Sequence, residues 1–258
     1  MSAEPLLIGL SGPSSCGKTT LARLLTRIFA HSSILHVDDF YFTDSQIPIY
    51  NGIQDWDCAE AIDVEKLVAA LKRLKASETV DAVLDGVAST EIPEVEGAKS
   101  AVDEEVVNRL RSELSAWEAE SRLKNQGWER PPLLLIDGFL LFGETVSTIR
   151  EQLDIKILVR STYEDSKQRR SDRKGIYITQ EGYWEDPPGY FDQIVWPNYV
   201  KNHRFLFHNS NTEGPVDDEV SKSLGIDVVP GMGMKTLEET LLYVCSVSIF
   251  SRHHTGLF

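Results

Sequence analysis

Eight consecutive residues near the start of the chain have the types and the spacing of a loop that binds phosphate. Residues 12–19 read Gly-Pro-Ser-Ser-Cys-Gly-Lys-Thr, a full match to the pattern G-x-x-x-x-G-K-[ST]. In this pattern backbone N–H groups curl around phosphate oxygens, Lys18 reaches the β- and γ-phosphates, and the Thr19 hydroxyl ligates Mg²⁺. We therefore expect nucleotide phosphates to contact a continuous set of residues: Gly12, Pro13, Ser14, Ser15, Cys16, Gly17, Lys18, Thr19 and Thr20.

The flanks of this loop predict the strand and the helix that the pattern requires. A short apolar run over residues 6–10 precedes the loop and is typical of a buried strand. Apolar residues then follow at helical spacing, namely Leu21, Leu24, Leu25, Ile28 and Phe29. A helix that begins at the loop also favours negative charge at its N-terminus. Because strand, loop and helix follow in the required order, a chance match in a glycine turn is the weaker interpretation.

Carboxylates come directly after two further apolar runs. Residues 34–37 lead to Asp38 and Asp39, and residues 133–136 lead to Asp137. A hydroxyl that attacks a γ-phosphate needs a carboxylate to orient it and accept its proton, and Asp38 is our candidate for that general base. Asp137 has the position of a carboxylate that serves Mg²⁺, directly or through water. The alternative for Asp38 and Asp39 is that they cap the next segment.

Trp56 and Asp57 allow two interpretations. Asp57 and Glu60 have the D-x-x-E spacing of a helix N-cap and its box partner, ahead of an apolar-periodic stretch. An aromatic residue beside a carboxylate is also suited to ligand binding. Both interpretations stay open, and different oxygens of Asp57 can serve both.

Residues 167–174 form an island of positive charge in an acidic chain. Arg169 and Arg173 are four residues apart and share a helix face, whereas Arg170 points elsewhere. The island can therefore hold two anionic groups, such as ATP phosphates and a phosphoryl group in transfer. A solvated helix face is the alternative. The segment 174–189, rich in Gly, Tyr and Pro, follows as a lid-like loop that could close over ATP and exclude water.

The elements that position these residues are those of an α/β fold with a doubly wound parallel sheet. Five continuous apolar runs predict buried strands, over residues 6–10, 34–37, 133–136, 155–159 and 226–229. Between and after them, helical spacing predicts helices over 57–75, 102–124 and 236–250. We expect one domain over 1–258, with an acidic and helical insertion over 77–130 whose first part, 77–103, is exposed. Ligands of such sheets bind at the carboxyl ends of the strands.

The composition of the chain limits the classes of molecule that it can bind. The 258 residues include 26 Lys and Arg against 40 Asp and Glu, a net charge of −14, which disfavours nucleic acid and anionic membranes as main partners. The N-terminal residues lack the pattern of a signal peptide or a membrane span. Three widely spaced cysteines fit neither a disulfide framework nor a zinc site. We expect a cytoplasmic protein with a small-molecule substrate, and the oligomeric state stays open.

Together these motifs resemble those of the nicotinamide riboside kinases, in the uridine-kinase-like branch of the P-loop kinases. The resemblance covers roughly residues 6–75 and 131–200. Besides the loop and the basic helix, the matching segments are Asp38-Asp39-Phe40-Tyr41, Asn51-Gly52 through Trp56-Asp57, Ile136-Asp137-Gly138-Phe139-Leu140-Leu141-Phe142, and Pro188-Gly189-Tyr190-Phe191-Asp192 leading to Val195-Trp196-Pro197. The resemblance implies a P-loop kinase domain with a lid segment.

The resemblance also implies an activity, which is Mg²⁺- and ATP-dependent phosphorylation of the 5′-hydroxyl of nicotinamide riboside in NAD salvage. Nicotinic acid riboside is the implied second acceptor. Asp38 would be the general base near Mg²⁺, with Thr19 and Asp137 as further metal residues. Arg169 and Arg173 would meet ATP, and the acceptor site would be lined by Asp38, Asp39, Phe40, Tyr41, Trp56, Asp57 and Arg170.

Two departures from the family pattern concern the metal and the lid. The family often has Glu where this chain has Asp137, whose shorter reach leaves open whether water separates it from Mg²⁺. The segment between Arg173 and Pro188 is longer than in shorter relatives, so a substrate contact of Tyr177 or Tyr183 is also left open.

Two other functions remain open. A uridine or cytidine kinase would use the same carboxylates for ribose, although a pyridinium ring gains more from aromatic and acidic neighbours. A non-catalytic ATP-binding module is the second alternative. A GTPase switch is disfavoured, because Gly-Phe-Leu follows Asp137 in place of a D-x-x-G motif, and the chain has no N-K-x-D motif.

Overall fold

The computed structural model describes residues 4–85, 102–124, 129–173, 176–179, 182–231 and 236–247. Within them, in chain order, the strands are β1 (Leu6–Ser11), β2 (Ser32–His36), β3 (Ile49–Tyr50), β4 (Ile53–Gln54), β5 (Leu133–Asp137), β6 (Ile155–Leu158), β7 (Ile176–Ile178), β8 (Tyr183–Glu185) and β9 (Ile226–Val228). The α-helices are α1 (Lys18–Ile28), α2 (Val64–Lys75), α3 (Val80–Leu84), α4 (Glu104–Lys124), α5 (Ser147–Arg150), α6 (Tyr163–Asp172), α7 (Trp196–His203), α8 (Asp218–Leu224) and α9 (Leu237–Cys245).

A five-stranded parallel sheet in the order β2-β5-β1-β6-β9 forms the centre of the fold. Its strands are the five that the apolar runs predict. In the register of the sheet, Asp137 lies level with Leu10 on one side and with His36 on the other. The carboxyl ends of β1, β2 and β5 therefore meet at one edge, where the candidate catalytic residues are expected.

Both faces of the sheet are covered by helices, as a doubly wound fold requires. Side chains of β1 alternate, so that Leu7 packs into one core cluster and Ile8 and Leu10 pack into the other. The first face carries α2, with Leu67 fully buried. The second carries α1, α4 and α9, with Val107 as one of the fully buried residues. The prediction of a doubly wound α/β sheet is confirmed.

The start of α2 corrects one sequence-based interpretation. Asp63 is the N-cap of α2, and its Oδ1 accepts a hydrogen bond of 2.9 Å from the backbone N–H of Lys66. The interpretation of Asp57 and Glu60 as a helix cap is therefore wrong, because a 3₁₀ turn over Ala59–Ala61 separates Asp57 from the helix. Asp57 is left for a tertiary partner.

Other predicted boundaries shift by a few residues. Helix α4 begins at Glu104 and packs on α1, so this part of the predicted insertion belongs to the core. Helix α9 has a capping box between Thr236 and Glu239 and is described to Cys245. Residues 86–101 and 125–128 of the insertion and 248–258 at the end of the last predicted helix lie outside the described residues.

The predicted lid-like loop contains regular structure. Strands β7 and β8 pair antiparallel, with Ile176 opposite Glu185 and Ile178 opposite Tyr183. Residues 174, 175, 180 and 181 of this segment lie outside the described residues. Among the helices that the structure describes, none combines the length and the apolar character needed to cross a bilayer.

Candidate active site

The phosphate-binding motif forms the turn between β1 and α1, and two of its glycines are required by geometry. Gly12 has a φ of 147°, and a Cβ at this position would lie 2.2 Å from the carbonyl oxygen of Val159. Gly17, the N-cap of α1, has a φ of 97°. Both conformations are strained for residues with a side chain. The loop therefore packs tightly against the end of β6.

Buried donors inside this turn have the chemistry of an anion site. Lys18 is 8% exposed, and its Nζ donates hydrogen bonds to the carbonyl oxygens of Gly12 at 3.0 Å and Pro13 at 2.9 Å. The buried Ser15 hydroxyl has no hydrogen-bond partner in the described part of the chain. No side chain caps the N-terminus of α1. A buried positive charge, an unpartnered hydroxyl and an uncapped helix N-terminus fit phosphate oxygens.

Thr19, Asp137 and His36 form a hydrogen-bonded group at the sheet edge. The Thr19 hydroxyl donates to Asp137 Oδ2 at 2.6 Å, and His36 Nδ1 lies 3.2 Å from the same oxygen. Burial acts to raise the pKa of Asp137, but the His36 hydrogen bond, the Lys18 charge and the Thr19 hydrogen bond together lower it. The structure thus brings together two residues predicted for the metal. His36 was missed, although it lies only two residues before Asp38.

Asp38 and Asp39 lie in a 3₁₀ turn, Val37–Phe40, directly after β2. Burial raises the pKa of Asp38 to about 6, with help from the charges of Asp137 and Asp39 and against the charges of His36 and Lys18. Because the charges of Lys18 and Asp137 both act on its pKa, Asp38 lies close to the phosphate loop and to the Asp137 carboxylate. A carboxyl with this pKa is ionised at neutral pH and is close to the range suited to proton transfer.

Arg170 of α6 is the most highly connected side chain of the site. Its guanidinium bonds both oxygens of Asp57 at 3.1 Å, both oxygens of Asp186 at 2.6 and 3.0 Å, and the Ser14 hydroxyl at 2.9 Å. These bonds use all five N–H donors of an arginine. Burial acts to lower the pKa of Arg170, but the charges of Asp57 and Asp186 raise it well above its ordinary value.

We expected Arg170 to contact the substrate, and in the structure all five of its N–H groups bond other parts of the protein. Its role in the structure is to join the phosphate loop, the Asp57 segment and the end of β8. The faces of the guanidinium are covered by Tyr177 and Tyr190, with ring centroids 4.8 and 5.4 Å from Cζ. Arg169 of α6 and Arg173, the C-cap of that helix, are exposed, and Arg170 between them is buried.

A row of aromatic rings lies beside Asp57. Tyr41 and Trp56 have ring centroids 5.6 Å apart, Trp56 and Trp184 6.1 Å, and Trp184 and Tyr190 5.4 Å. The indole N–H of Trp56 is buried and has no hydrogen-bond partner within the described residues. Trp184 donates to Asp186 Oδ1 at 3.0 Å. We call Tyr41, Trp56, Trp184 and Tyr190 the aromatic wall.

The sequence predicted only half of this wall. Tyr41 and Trp56 are in the predicted acceptor site, but Trp184 and Asp186 were missed. The sequence signal for these two residues is that they come just before the Pro-Gly-Tyr segment. Phe40 departs from its expected place in the acceptor site. Its ring is 1% exposed and packs in the core cluster of the α2 face, so it anchors the 3₁₀ turn.

The fold and the site together define a P-loop phosphotransferase. Residues 7–173 match the model of the Phosphoribulokinase / Uridine kinase family. The nicotinamide riboside kinase of Saccharomyces cerevisiae is 35% identical over 86% of this chain and 88% of its own. That of Schizosaccharomyces pombe is 34% identical over 85% and 88%, and human nicotinamide riboside kinase 1 is 30% identical over 77% and 76%. The chain belongs to the nicotinamide riboside kinases of this family.

Proposed function

We propose that this protein transfers the γ-phosphoryl group of ATP to the 5′-hydroxyl of nicotinamide riboside, giving the mononucleotide in NAD salvage. Nicotinic acid riboside is its second acceptor. One observation supports the proposal above the others, namely that Arg170 bonds Ser14 of the phosphate loop and Asp57 beside the aromatic wall. The region suited to a nucleotide and the region suited to a riboside are therefore neighbours.

The residues at the sheet edge fit ATP and Mg²⁺. The unpartnered Ser15 hydroxyl, the buried Lys18 ammonium and the uncapped N-terminus of α1 would hold the phosphates. Thr19 and Asp137 would hold Mg²⁺, which neutralises charge on the transferring phosphoryl group. No group of three or more His, Cys, Asp or Glu side chains in the described ranges could hold a metal ion by itself.

Asp38 is the general base in this proposal. Its carboxylate accepts the proton of the 5′-hydroxyl as that oxygen attacks the γ-phosphorus and the bond to the leaving ADP breaks. The buried Lys18 charge favours the ionised form of Asp38, and it also faces the charge that develops on the phosphoryl oxygens. Arg169 of α6 and Arg173, the C-cap of that helix, are exposed and would bind the phosphates of ATP.

The acceptor site has the charge and the surfaces that suit a pyridinium riboside. Asp57 and Asp186 bring two negative charges against the single positive charge of Arg170, so the cluster carries a net charge of −1. Nicotinamide riboside carries a positive ring, which the aromatic wall favours by about 0.5 to 2 kcal/mol for each cation–π contact. The unpartnered Trp56 indole N–H is a donor for a polar group of the acceptor.

An assay of acceptor preference tests the proposal. ADP release is measured with Mg-ATP and, separately, nicotinamide riboside, nicotinic acid riboside, uridine and no acceptor. We expect turnover with both pyridine ribosides. Turnover with uridine alone would move the function to pyrimidine salvage, and ADP release that no acceptor stimulates would indicate a nucleotide-binding module.

We further propose that the enzyme works in the cytoplasm. The three cysteines, Cys16, Cys58 and Cys245, are buried free thiols. Free thiols are the normal state in a reducing compartment.

A further inference from the structure

A short segment carries two of the proposed acceptor residues, and it lies outside the sheet and the helices. Trp56 and Asp57 lie between β4 and the 3₁₀ turn Ala59–Ala61. Their positions are therefore set by hydrogen bonds that involve side chains such as those of Asp55, Tyr190 and Asn198.

Asn198 of α7 holds the first residue of this segment. Its amide nitrogen Nδ2 lies 3.0 Å from Oδ1 and 2.9 Å from Oδ2 of Asp55, which is 8% exposed. A carboxylate only accepts hydrogen bonds, so the amide nitrogen of Asn198 must be the atom that faces it. Asp55 Oδ1 also accepts the backbone N–H of Asp57 at 3.1 Å. One carboxylate thus connects α7 to the backbone of Asp57.

The rest of the segment is restrained in the same way. The Tyr190 hydroxyl accepts the backbone N–H of Trp56 at 3.0 Å. The backbone N–H of Asp55 donates to the carbonyl of Pro48 at 2.7 Å, and the Cys58 thiol donates to the carbonyl of Asp55 at 3.2 Å. The backbone is therefore fixed by bonds that leave the Asp57 carboxylate for Arg170 and the Trp56 ring for the aromatic wall.

The backbone of Asn198 is itself held by α7 and a neighbouring loop. Its backbone carbonyl accepts a hydrogen bond of 2.8 Å from Asn202 Nδ2, and Asn202 Oδ1 accepts one of 3.1 Å from the Thr145 hydroxyl. The backbone of Asn198 is thus tied to the next helix turn and, through Asn202, to a neighbouring loop. Such support fixes the geometry of a binding site more precisely than a loop can alone.

We propose that Asn198, acting through Asp55, is a positioning residue that fixes Trp56 and Asp57 for riboside binding. The inference rests on the proposed function, because it takes these two residues as part of the acceptor site. The Asn198 side chain contacts neither the phosphate loop nor the Asp137 group through any hydrogen bond among the described residues. Its loss should therefore weaken binding of the riboside and leave binding of ATP nearly unchanged.

An exchange of the two side chains tests this. Asn198→Asp brings a second carboxylate against Asp55, and Asp55→Asn weakens the bond by removing the charge. We expect each single variant to raise the KM for nicotinamide riboside about tenfold, the effect of about 1.4 kcal/mol. The KM for ATP should stay within about twofold. The double variant places donor and acceptor in reversed positions and should recover most of the riboside affinity.

Asn108→Asp, on the exposed face of α4, is the matched control and should behave as wild type.

Measuring riboside binding directly distinguishes a loss of positioning from a general loss of folding stability. Riboside binding without ATP is followed by quenching of tryptophan fluorescence, and the Tm of each variant is measured beside it. If Asn198→Asp does not fold, Asn198→Ala removes the donor without adding charge and should show the same selective loss. A wild-type riboside KM in folded single variants, an equal rise in both KM values, or a double variant no better than the singles would each overturn the proposal.

The wild-type protein is assayed first, so that a failure of the proposed function can be distinguished from a failure of the proposed role of Asn198. Absence of turnover with pyridine ribosides would overturn the proposed function. The variants are then compared with whichever riboside the wild type phosphorylates, and that comparison decides the role of Asn198.

Discussion

Lys18 carries a buried charge, and its Nζ donates to the carbonyls of Gly12 and Pro13 and to the sulfur of Cys16. A buried ammonium that lacks a carboxylate partner of its own is costly unless a negative ligand compensates it. The sequence motif predicts Lys18 from local spacing alone, because the glycines of the turn and the lysine lie within eight consecutive residues.

Lys18→Ala is predicted to reduce kcat/KM by at least about a hundredfold and to weaken ATP binding, because a charge aimed at the transferring phosphoryl group is removed. Steady-state kinetics and titration with ATP measure both effects. Lys72→Ala, at an exposed position of α2, is the control. Wild-type kinetics in Lys18→Ala would contradict the assignment of the phosphate loop.

Asp38→Asn is predicted to lower kcat by about a hundredfold or more, the usual contribution of a general base. The amide has nearly the same shape and cannot accept the proton, so ATP binding should be retained. Single-turnover measurement of product formation checks the chemical step, with Asp81→Asn on the exposed side of α3 as the control. An unchanged rate would remove Asp38 from the mechanism.

Residues that follow a recognisable local motif were easier to predict than residues whose role depends only on a distant partner. Thr19 and Asp137 were predicted to share a metal because each ends or follows a recognisable element. The Asp57 side chain had a plausible local partner in Glu60, but α2 is capped by Asp63, and the partner of Asp57 is Arg170, 113 residues away. Asn198 gave no local signal, because its partner is set by tertiary packing.

At the scale of elements, the central strands could be predicted because they are continuously apolar and buried on both faces. The start of α2 could not be placed, since Asp57 and Asp63 both precede apolar-periodic residues, and only Asp63 accepts a capping bond. The hairpin β7–β8 was interpreted as a loop, because strands of three residues leave too little periodicity to detect.

Helix α7 contains a buried histidine that should make stability depend on pH. His203 is 0% exposed, and its Nδ1 donates to the carbonyl of Tyr199 at 3.0 Å. Burial lowers the pKa of His203 to about 4. The folded protein therefore takes up this proton less readily than the unfolded chain, and stability falls as the pH drops from about 6.5 towards 4.

We expect this group to reduce the free energy of unfolding by about 2 kcal/mol between pH 7 and pH 5. Urea unfolding at the two pH values measures it. His203→Gln should lose that part of the pH dependence, whereas His208→Gln, at an exposed position, should keep it. The same pH dependence in wild type and His203→Gln would show that other groups are responsible.

At the scale of the whole molecule, Arg170 holds together parts of the chain that are distant in sequence. It joins the turn after β1, the segment after β4 and the end of β8. Two of these partners are carboxylates, and all three lie near the carboxyl edge of the sheet. This is the place that the fold class predicts for ligands, although the fold class does not predict which side chains meet there.

Arg170→Lys is predicted to lower stability by about 3 kcal/mol, because lysine keeps the charge but cannot bond two carboxylates and a hydroxyl with one planar group. Thermal and urea unfolding measure the loss. Arg169→Lys, next along the same helix and exposed, should unfold as wild type does. Equal stability of the two variants would contradict the role of Arg170 as a tertiary link.

The two halves of the site are attached to the fold in different ways. The phosphate loop continues β1, in the middle of the sheet, and Gly12 packs against the backbone of Val159. Trp56 and Asp57 are held by side-chain hydrogen bonds outside the sheet. Local opening can therefore release the acceptor half while the nucleotide half persists until global unfolding. On warming, amide hydrogen exchange should accelerate over residues 55–58 well before it does in β1, and affinity for the riboside should fade before affinity for ATP.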